Sequence, residues 1–314
     1  MYKIKDKPED FIVKEITNVK LGNGDYSVFL LNKKDYTTIK AIQKIAERLN
    51  IKLKRIGFAG TKDKKAVTEQ YISIFKTNIK DLILKDIKLK YIGKSEKPIS
   101  LGDLEGNEFR IIIRDINKRD INNFENNLNK IEIPNYFGEQ RFSKNNKEIG
   151  ENIVKDDYKK SISFIIKDDK EYGDKIKDYL KKNKNNYIGA LRLIPIKILR
   201  LYVHSYQSYL WNLAAKECLK SNADKKKIPV IGFGTEIKDM NIKKMIDKIM
   251  EKEKINFRDF IIRKIPELSS EGAERDLFIK IRSFKYKINK NNIELSFFLP
   301  KGCYATTVVK YLFK

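Results

Sequence analysis

Apolar residues recur with a period of two near both ends of this chain and with a period of three to four through its middle. That change of period is the first guide to the architecture. Residues 10–16 (DFIVKEI), 26–31 (YSVFLL), 52–59, 67–75 and 107–114 read as strands. Between them, 37–49 sets Ile39, Ile42, Ala46 and Leu49 on one side of a helix, with Thr37 or Thr38 as its cap. A second helix covers 119–131, and Pro134 then breaks the pattern. From about 150 to 270 the helical period dominates, and 202–219 is too dense in aromatic and aliphatic residues for an exposed helix. The run 229–235 (PVIGFGT) suggests a short strand and turn, and 241–250 and 257–264 read as helical. Residues 277–288 and 293–299 flank the turn 289–292 as a hairpin. A β-rich start, a helical middle and a β-rich end fit an α/β chain of the α+β type, one sheet domain interrupted by an insertion.

Composition narrows the function. With 314 residues, 41% of them hydrophobic, the chain has enough apolar material for one large domain or two ordinary ones. No apolar run is long enough to cross a membrane, and the start MYKIKDKPEDF lacks the apolar centre of a signal peptide, so a cytoplasmic protein is expected. The 67 Lys and Arg residues against 42 Asp and Glu leave a net charge of +25, for which a nucleic acid is the default partner. The scarcities exclude more. One histidine, His204, and two cysteines, Cys218 and Cys303, argue against zinc clusters, Cys-x-x-Cys redox pairs and multi-histidine metal sites. His204 lies in RLYVHSYQSYLWN, where packing in a buried helix is expected. Neither a dinucleotide-binding glycine fingerprint nor a phosphate-binding P-loop occurs. Any catalysis therefore falls to carboxylate, lysine, tyrosine and amide groups, and no metal or cofactor is expected.

Four segments carry candidate chemistry. In RIGFAGTKDKKAVTEQYISIF (55–75), an apolar run ends in glycines and Asp63 follows on a short loop with cations on either side. Neighbouring positive charge favours an ionised carboxylate, and strand-flanked loops commonly hold catalytic groups, although a solvated charged turn has the same local appearance. In PNYFGEQRFS (134–143), Asn135, Phe137, Gln140 and Arg141 place aromatic faces beside amide and guanidinium donors, a set suited to an unstacked nucleobase and equally to a turn anchored by its rings. Lys5, just before Pro8-Glu9-Asp10-Phe11, and Tyr304, in KGCYAT (301–306), complete the set. Cys303 is expected to be a small buried side chain.

Taken together, these segments resemble the TruD family of tRNA pseudouridine synthases. The matching pieces are PEDFIVKE at 8–15, FAGTKDKKAVTEQ at 58–70, GNEFRIIIR at 106–114, NYFGEQRF at 135–142 and FFLPKGCYATTVV at 297–309, with weaker similarity at 190–193 and 205–212. The resemblance implies a pseudouridine synthase catalytic domain with a mixed, mainly antiparallel sheet, covering 1–154 and 273–314, interrupted by a helix-rich TruD insertion at 155–272. It places Asp63 on the family's catalytic aspartate, with Lys5 beside it. Phe137 and Asn135 fall on the active-site aromatic and amide, and Gln140, Arg141 and Tyr304 join the substrate-binding set. Cys303 stands where serine is more usual. The implied reaction is isomerisation of uridine to pseudouridine, most often at uridine 13 of tRNA, with Asp63 as nucleophile at C1′, a glycal route in which it first removes a ribose proton staying open; a monomer without cofactor is expected. The rival readings are a non-enzymatic basic RNA-binding protein and a carboxylate-based nucleoside hydrolase.

Overall fold

A computed structural model of the protein describes residues 2–128, 132–221 and 227–314. They form two compact units, one made of Met1–Ile131 with Ile279–Lys314, the other of Glu132–Phe278. The expected junctions at 154/155 and 272/273 both fall inside the second unit. In chain order the first unit opens with β1 (Lys3–Ile4), β2 (Phe11–Ile16), β3 (Tyr26–Lys34), α1 (Thr38–Arg48), β4 (Ile56–Phe58), β5 (Val67–Phe75), β6 (Asp81–Leu84), β7 (Ile87–Ser95), β8 (Gly106–Arg114) and α2 (Lys118–Leu128). The second unit carries α3 (Asn146–Val154), α4 (Tyr158–Asp168), α5 (Lys170–Lys182), α6 (Tyr187–Leu191), α7 (Ile196–Lys220), β9 (Lys227–Val230), α8 (Met240–Glu253) and β10 (Ala273–Asp276). The chain then returns to the first unit with β11 (Arg282–Asn289), β12 (Asn292–Pro300) and α9 (Ala305–Leu312).

Among the described residues the first unit is built on one mixed sheet in the order β11-β12-β8-β2-β5-β3-β7-β6, with β1 on β8 and β4 on β5. Every pairing in it is antiparallel except β2 with β5, where Ile12 lies opposite Val67. That exception positions the site. Parallel strands begin at the same edge of a sheet, so the segments leading into β2 and β5, which carry Lys5 and Asp63, arrive side by side. β3 runs antiparallel to β5 with Lys34 opposite Val67, so it delivers Lys33 to the same edge.

The helix α1 covers one face of this sheet. Thr37 caps it by accepting from the Lys40 amide at 3.2 Å. Ala41, Ile42, Ile45 and Ala46 pack against Phe29, Leu31, Ile72 and Ile74. Of the expected stripe, Ile42 and Ala46 are buried and Leu49 packs beside them, but Ile39 is 47% exposed, because the buried face also takes in Thr38, Ala41 and Ile45. The pair β6 and β7 had not been anticipated, although Ile87 and Leu89 alternate with Lys88 and Lys90 and only the former are buried. The helix expected at 119–131 runs from Lys118 to Leu128, and its last three positions lie outside the described residues.

The second unit is organised around α7, whose Tyr206, Leu210, Trp211 and Ala214 are fully buried. Gly150 on α3 permits the crossing of these two helices, since a Cβ there would overlap the Tyr202 carbonyl oxygen. Three expectations change here. Residues 257–264 form only a 3-10 turn at Phe257–Phe260, and the Ile262 amide donates to Ser269 Oγ at 3.0 Å in place of a helical bond. The strand expected at 277–288 starts at Arg282, while Ala273–Asp276 forms β10 against β9. His204 sits on the exposed side of α7, so it does not pack in the interior as its surroundings in the sequence suggested.

Candidate active site

The loop 60–66 enters β5 and is fixed before it presents Asp63. Gln70 Nε2 donates to the Gly60 carbonyl at 3.0 Å, and Gln70 Oε1 accepts from Thr38 Oγ1 at 2.8 Å. The Lys62 amide in turn donates to Thr38 Oγ1 at 2.8 Å. The side chain of Lys62 turns inward and pairs with Glu15 of β2, both side chains almost fully buried. Glu15 also accepts from the Tyr71 amide at 3.3 Å. Lys33, with no exposed surface, donates to the carbonyls of Asp63 at 2.9 Å and Tyr36 at 2.5 Å. The loop is therefore held through its backbone and through Lys62, and none of these restraints uses the Asp63 carboxylate. It remains one-third exposed.

Lys5 completes this arrangement. Its Nζ lies 2.6 Å from Asp63 Oδ2 and 4.0 Å from the centre of the Phe11 ring. Its backbone is in the left-handed region at φ 59, an uncommon conformation for a residue with a side chain, and one its surroundings help to hold. Those surroundings are visible. Buried Asp10 accepts from the Lys7 amide at 2.9 Å and from Arg114 Nε and Nη2 at 2.8 and 2.7 Å, tying the turn between β1 and β2 to the end of β8. The Arg114 guanidinium holds the Asp10 carboxyl below the usual carboxylate range. On Lys33 burial disfavours the charged form, lowering its ammonium to about 8 against the pull of Asp63.

The aromatic segment forms a second cluster, within the unit Glu132–Phe278. Asn135 is buried. Its amide NH₂ donates to the Asp276 carbonyl at 3.0 Å, and its Oδ1 and carbonyl accept from Arg275 Nη2 at 2.7 and 2.9 Å. Phe137 is half-buried, edge-on to Trp211 with centroids 5.6 Å apart, and the Arg275 guanidinium lies 4.0 Å over its ring. The Phe137 backbone is clamped by Asn212, which accepts from its amide at 2.9 Å and donates to its carbonyl at 3.1 Å. Arg141 donates from Nε to Ser208 Oγ at 3.2 Å, while Gln140 is exposed on the turn Glu139–Phe142. In the first unit, Tyr304 is half-buried at the N-terminus of α9, after Gly302 at φ 82. Cys303 is also only half-buried, less enclosed than expected.

The structure thus joins Lys5 to Asp63, and Asn135 and Arg141 to the surroundings of Phe137. Sequence reasoning missed Lys33, the Glu15–Lys62 pair, Thr38, Gln70 and Arg275. Glu15, Lys62 and Gln70 lie inside the quoted motifs, and their burial was the missing information. Among the described residues no group of three or more His, Cys, Asp or Glu side chains could hold a metal ion, and no helix is long and apolar enough to cross a membrane.

Comparisons with known proteins bear on what this arrangement does. The sequence model of the family described as tRNA pseudouridine synthase D (TruD) matches residues 2–178, 171–228 and 215–312. The chain is 33% identical to the tRNA pseudouridine synthase D of Aquifex aeolicus, with 99% of this chain and 98% of that protein covered. It is 31% identical to a Thermococcus sibiricus protein assigned the same name, covering 99% and 94%. The crystal structure of a Methanosarcina mazei protein also assigned as TruD superposes with a TM-score of 0.73 at 28% identity, covering 99% of this chain and 93% of that one.

Proposed function

The chain belongs to the TruD family of tRNA pseudouridine synthases and is an isomerase; on that premise we propose that Asp63 is its catalytic nucleophile and uridine 13 of tRNA its target. The observation that supports the role of Asp63 is its partly exposed carboxylate, paired with Lys5 at 2.6 Å on a loop whose backbone is already fixed, whereas the choice of uridine 13 rests on the family resemblance alone. The reaction is redox neutral. As the Asp63 carboxylate bonds to C1′, the C1′–N1 bond breaks and its electron pair leaves with the uracil. The base turns, C5 takes C1′ back from the carboxylate, the C5 proton is lost and N1 gains one. Lys5 orients the Asp63 carboxylate for the attack through their ion pair. If this route holds, deuterium at C2′ leaves the rate essentially unchanged. A primary isotope effect would instead make Asp63 a base that removes the C2′ proton.

The target uridine has to leave its stack to be reached. In this reading Phe137 stacks on the flipped uracil, Arg275 and Trp211 fix the ring, Asn135 braces the loop, and Gln140, Arg141 and Tyr304 contact substrate. Stacking of a base on an aromatic side chain contributes about 1–3 kcal/mol. Phe137→Ala is therefore expected to slow single-turnover conversion by about 10- to 100-fold while tRNA affinity changes far less. Normal turnover by that variant removes the stacking role.

The surplus of cations belongs to the same reading. Lysines and arginines that neutralise tRNA phosphates release counterions on binding, so affinity falls steeply with salt. We expect a loss of at least about 100-fold between 50 and 200 mM monovalent salt, equivalent to roughly four neutralised phosphates. A nearly flat dependence measured by filter binding would exclude phosphate contacts as the source of affinity. The enzyme works in this account as a cytoplasmic monomer without metal or cofactor, and the unit Glu132–Phe278 is the insertion.

A further inference from the structure

The buried cation beneath the Asp63 loop has no part in the chemistry described so far. Lys33 donates to the carbonyls of Asp63 and Tyr36 and has no exposed surface. Two backbone acceptors could be satisfied more cheaply by an amide or a hydroxyl, since burying an ammonium costs far more than burying a neutral donor. A full charge at this point strengthens both hydrogen bonds and places a field under the loop. We propose that Lys33 is a positioning residue for the isomerisation, its ammonium anchoring the Asp63 peptide so that the carboxylate stays on line with C1′. The inference rests on Asp63 being the reacting group.

The surroundings of Lys33 isolate its effect. The charged groups facing it are Asp63 and Lys62 of the loop, Lys62 being neutralised by Glu15 and Asp63 being paired with Lys5. The residues opposite it on the neighbouring strands, Thr68 on β5 and Ile87 on β7, carry no charge, and the turn into α1 contributes the Tyr36 carbonyl and Thr38. Burial holds the Lys33 ammonium at about 8, against 10.5 for a free lysine. Above that value the folded protein releases this proton while the unfolded chain still holds it, so this group makes folding more favourable between about 8 and 10.5. The anchor weakens over the same range. Titration of Lys33 itself therefore does not unfold the protein on the alkaline side.

The test compares wild type, Lys33→Met, Lys33→Arg and Asp63→Asn in single-turnover conversion of an unmodified tRNA transcript from pH 6.5 to 9.5, with tRNA affinity measured in parallel. Displacing a reacting group by about 1 Å costs on the order of 100-fold in rate. Lys33→Met is expected to lose about 10- to 100-fold in rate with tRNA affinity unchanged and to lack the alkaline limb near pH 8 that wild type shows. Lys33→Arg, which keeps a cation and its donors, is expected to recover part of the rate and to shift the limb beyond pH 9.5. Wild-type rates in a folded Lys33→Met, or a loss confined to tRNA affinity, would overturn the inference. Should neither variant fold, a wild-type rate that stays level from pH 7 to 9 overturns it. Full activity in Asp63→Asn would instead remove the reading on which the inference stands.

Discussion

Asp63→Asn is expected to reduce pseudouridine formation by at least about 10⁴-fold while tRNA binding survives. Loss of a group that makes and breaks bonds costs activity on this scale, whereas loss of a group that only binds substrate raises KM. The substitution is nearly isosteric, and the loop does not depend on the carboxylate for its shape. Its backbone is held by Lys33, Thr38 and Gln70, and its interior side chain is that of Lys62. Lys5 loses its ionic partner but keeps its place over Phe11. The variant is therefore expected to fold normally, which circular dichroism would check, and the defect to lie in the chemical step.

Lys62→Met is expected to lower stability by about 3–5 kcal/mol, the usual result of stranding one member of a buried ion pair. Glu15 would be left inside the sheet with only the Tyr71 amide at 3.3 Å as a donor. The comparison that isolates this cause is the double variant Glu15→Gln/Lys62→Met. Removing both charges leaves no uncompensated ion, so much of the lost stability should return. Denaturant midpoints for the four proteins of this cycle give the coupling directly. A double variant less stable than Lys62→Met would show that packing, rather than the stranded charge, is responsible.

Much of this site was legible in the sequence because its chemistry is written locally. Asp63 follows a glycine-terminated apolar run, Phe137 and Asn135 lie within one short segment, and Lys5 precedes the turn Pro8–Asp10 that leads into β2. The long resemblance to one family added order to these pieces. What remained hidden depends on pairing across distance. Asp10 with Arg114, Glu15 with Lys62 and Asn135 with Arg275 are separated by 104, 47 and 140 positions, and nothing local marks either partner. Lys33 was hidden differently. In a chain with 67 Lys and Arg residues, the one lysine that is wholly buried among the described residues looks like every other, and only the register of β3 on β5 reveals that it points beneath the loop.

The β pattern was read well where alternation was long and apolar, as in 67–75 and 107–114. It failed at β7, where Lys88 and Lys90 dilute Ile87 and Leu89, and at 52–59, where a turn at Leu53–Arg55 replaces the first part of the apparent strand and leaves only β4. The parallel pairing of β2 with β5 follows from no local feature, yet it brings Lys5 to Asp63.

The most direct measurement is nucleotide-resolution mapping of pseudouridine in unmodified tRNA transcripts incubated with wild type and with Asp63→Asn. The account predicts product at uridine 13 with wild type and none with the variant, both proteins binding the transcript equally. Equal product from the two proteins, or no product from a folded wild type that binds tRNA, would contradict it.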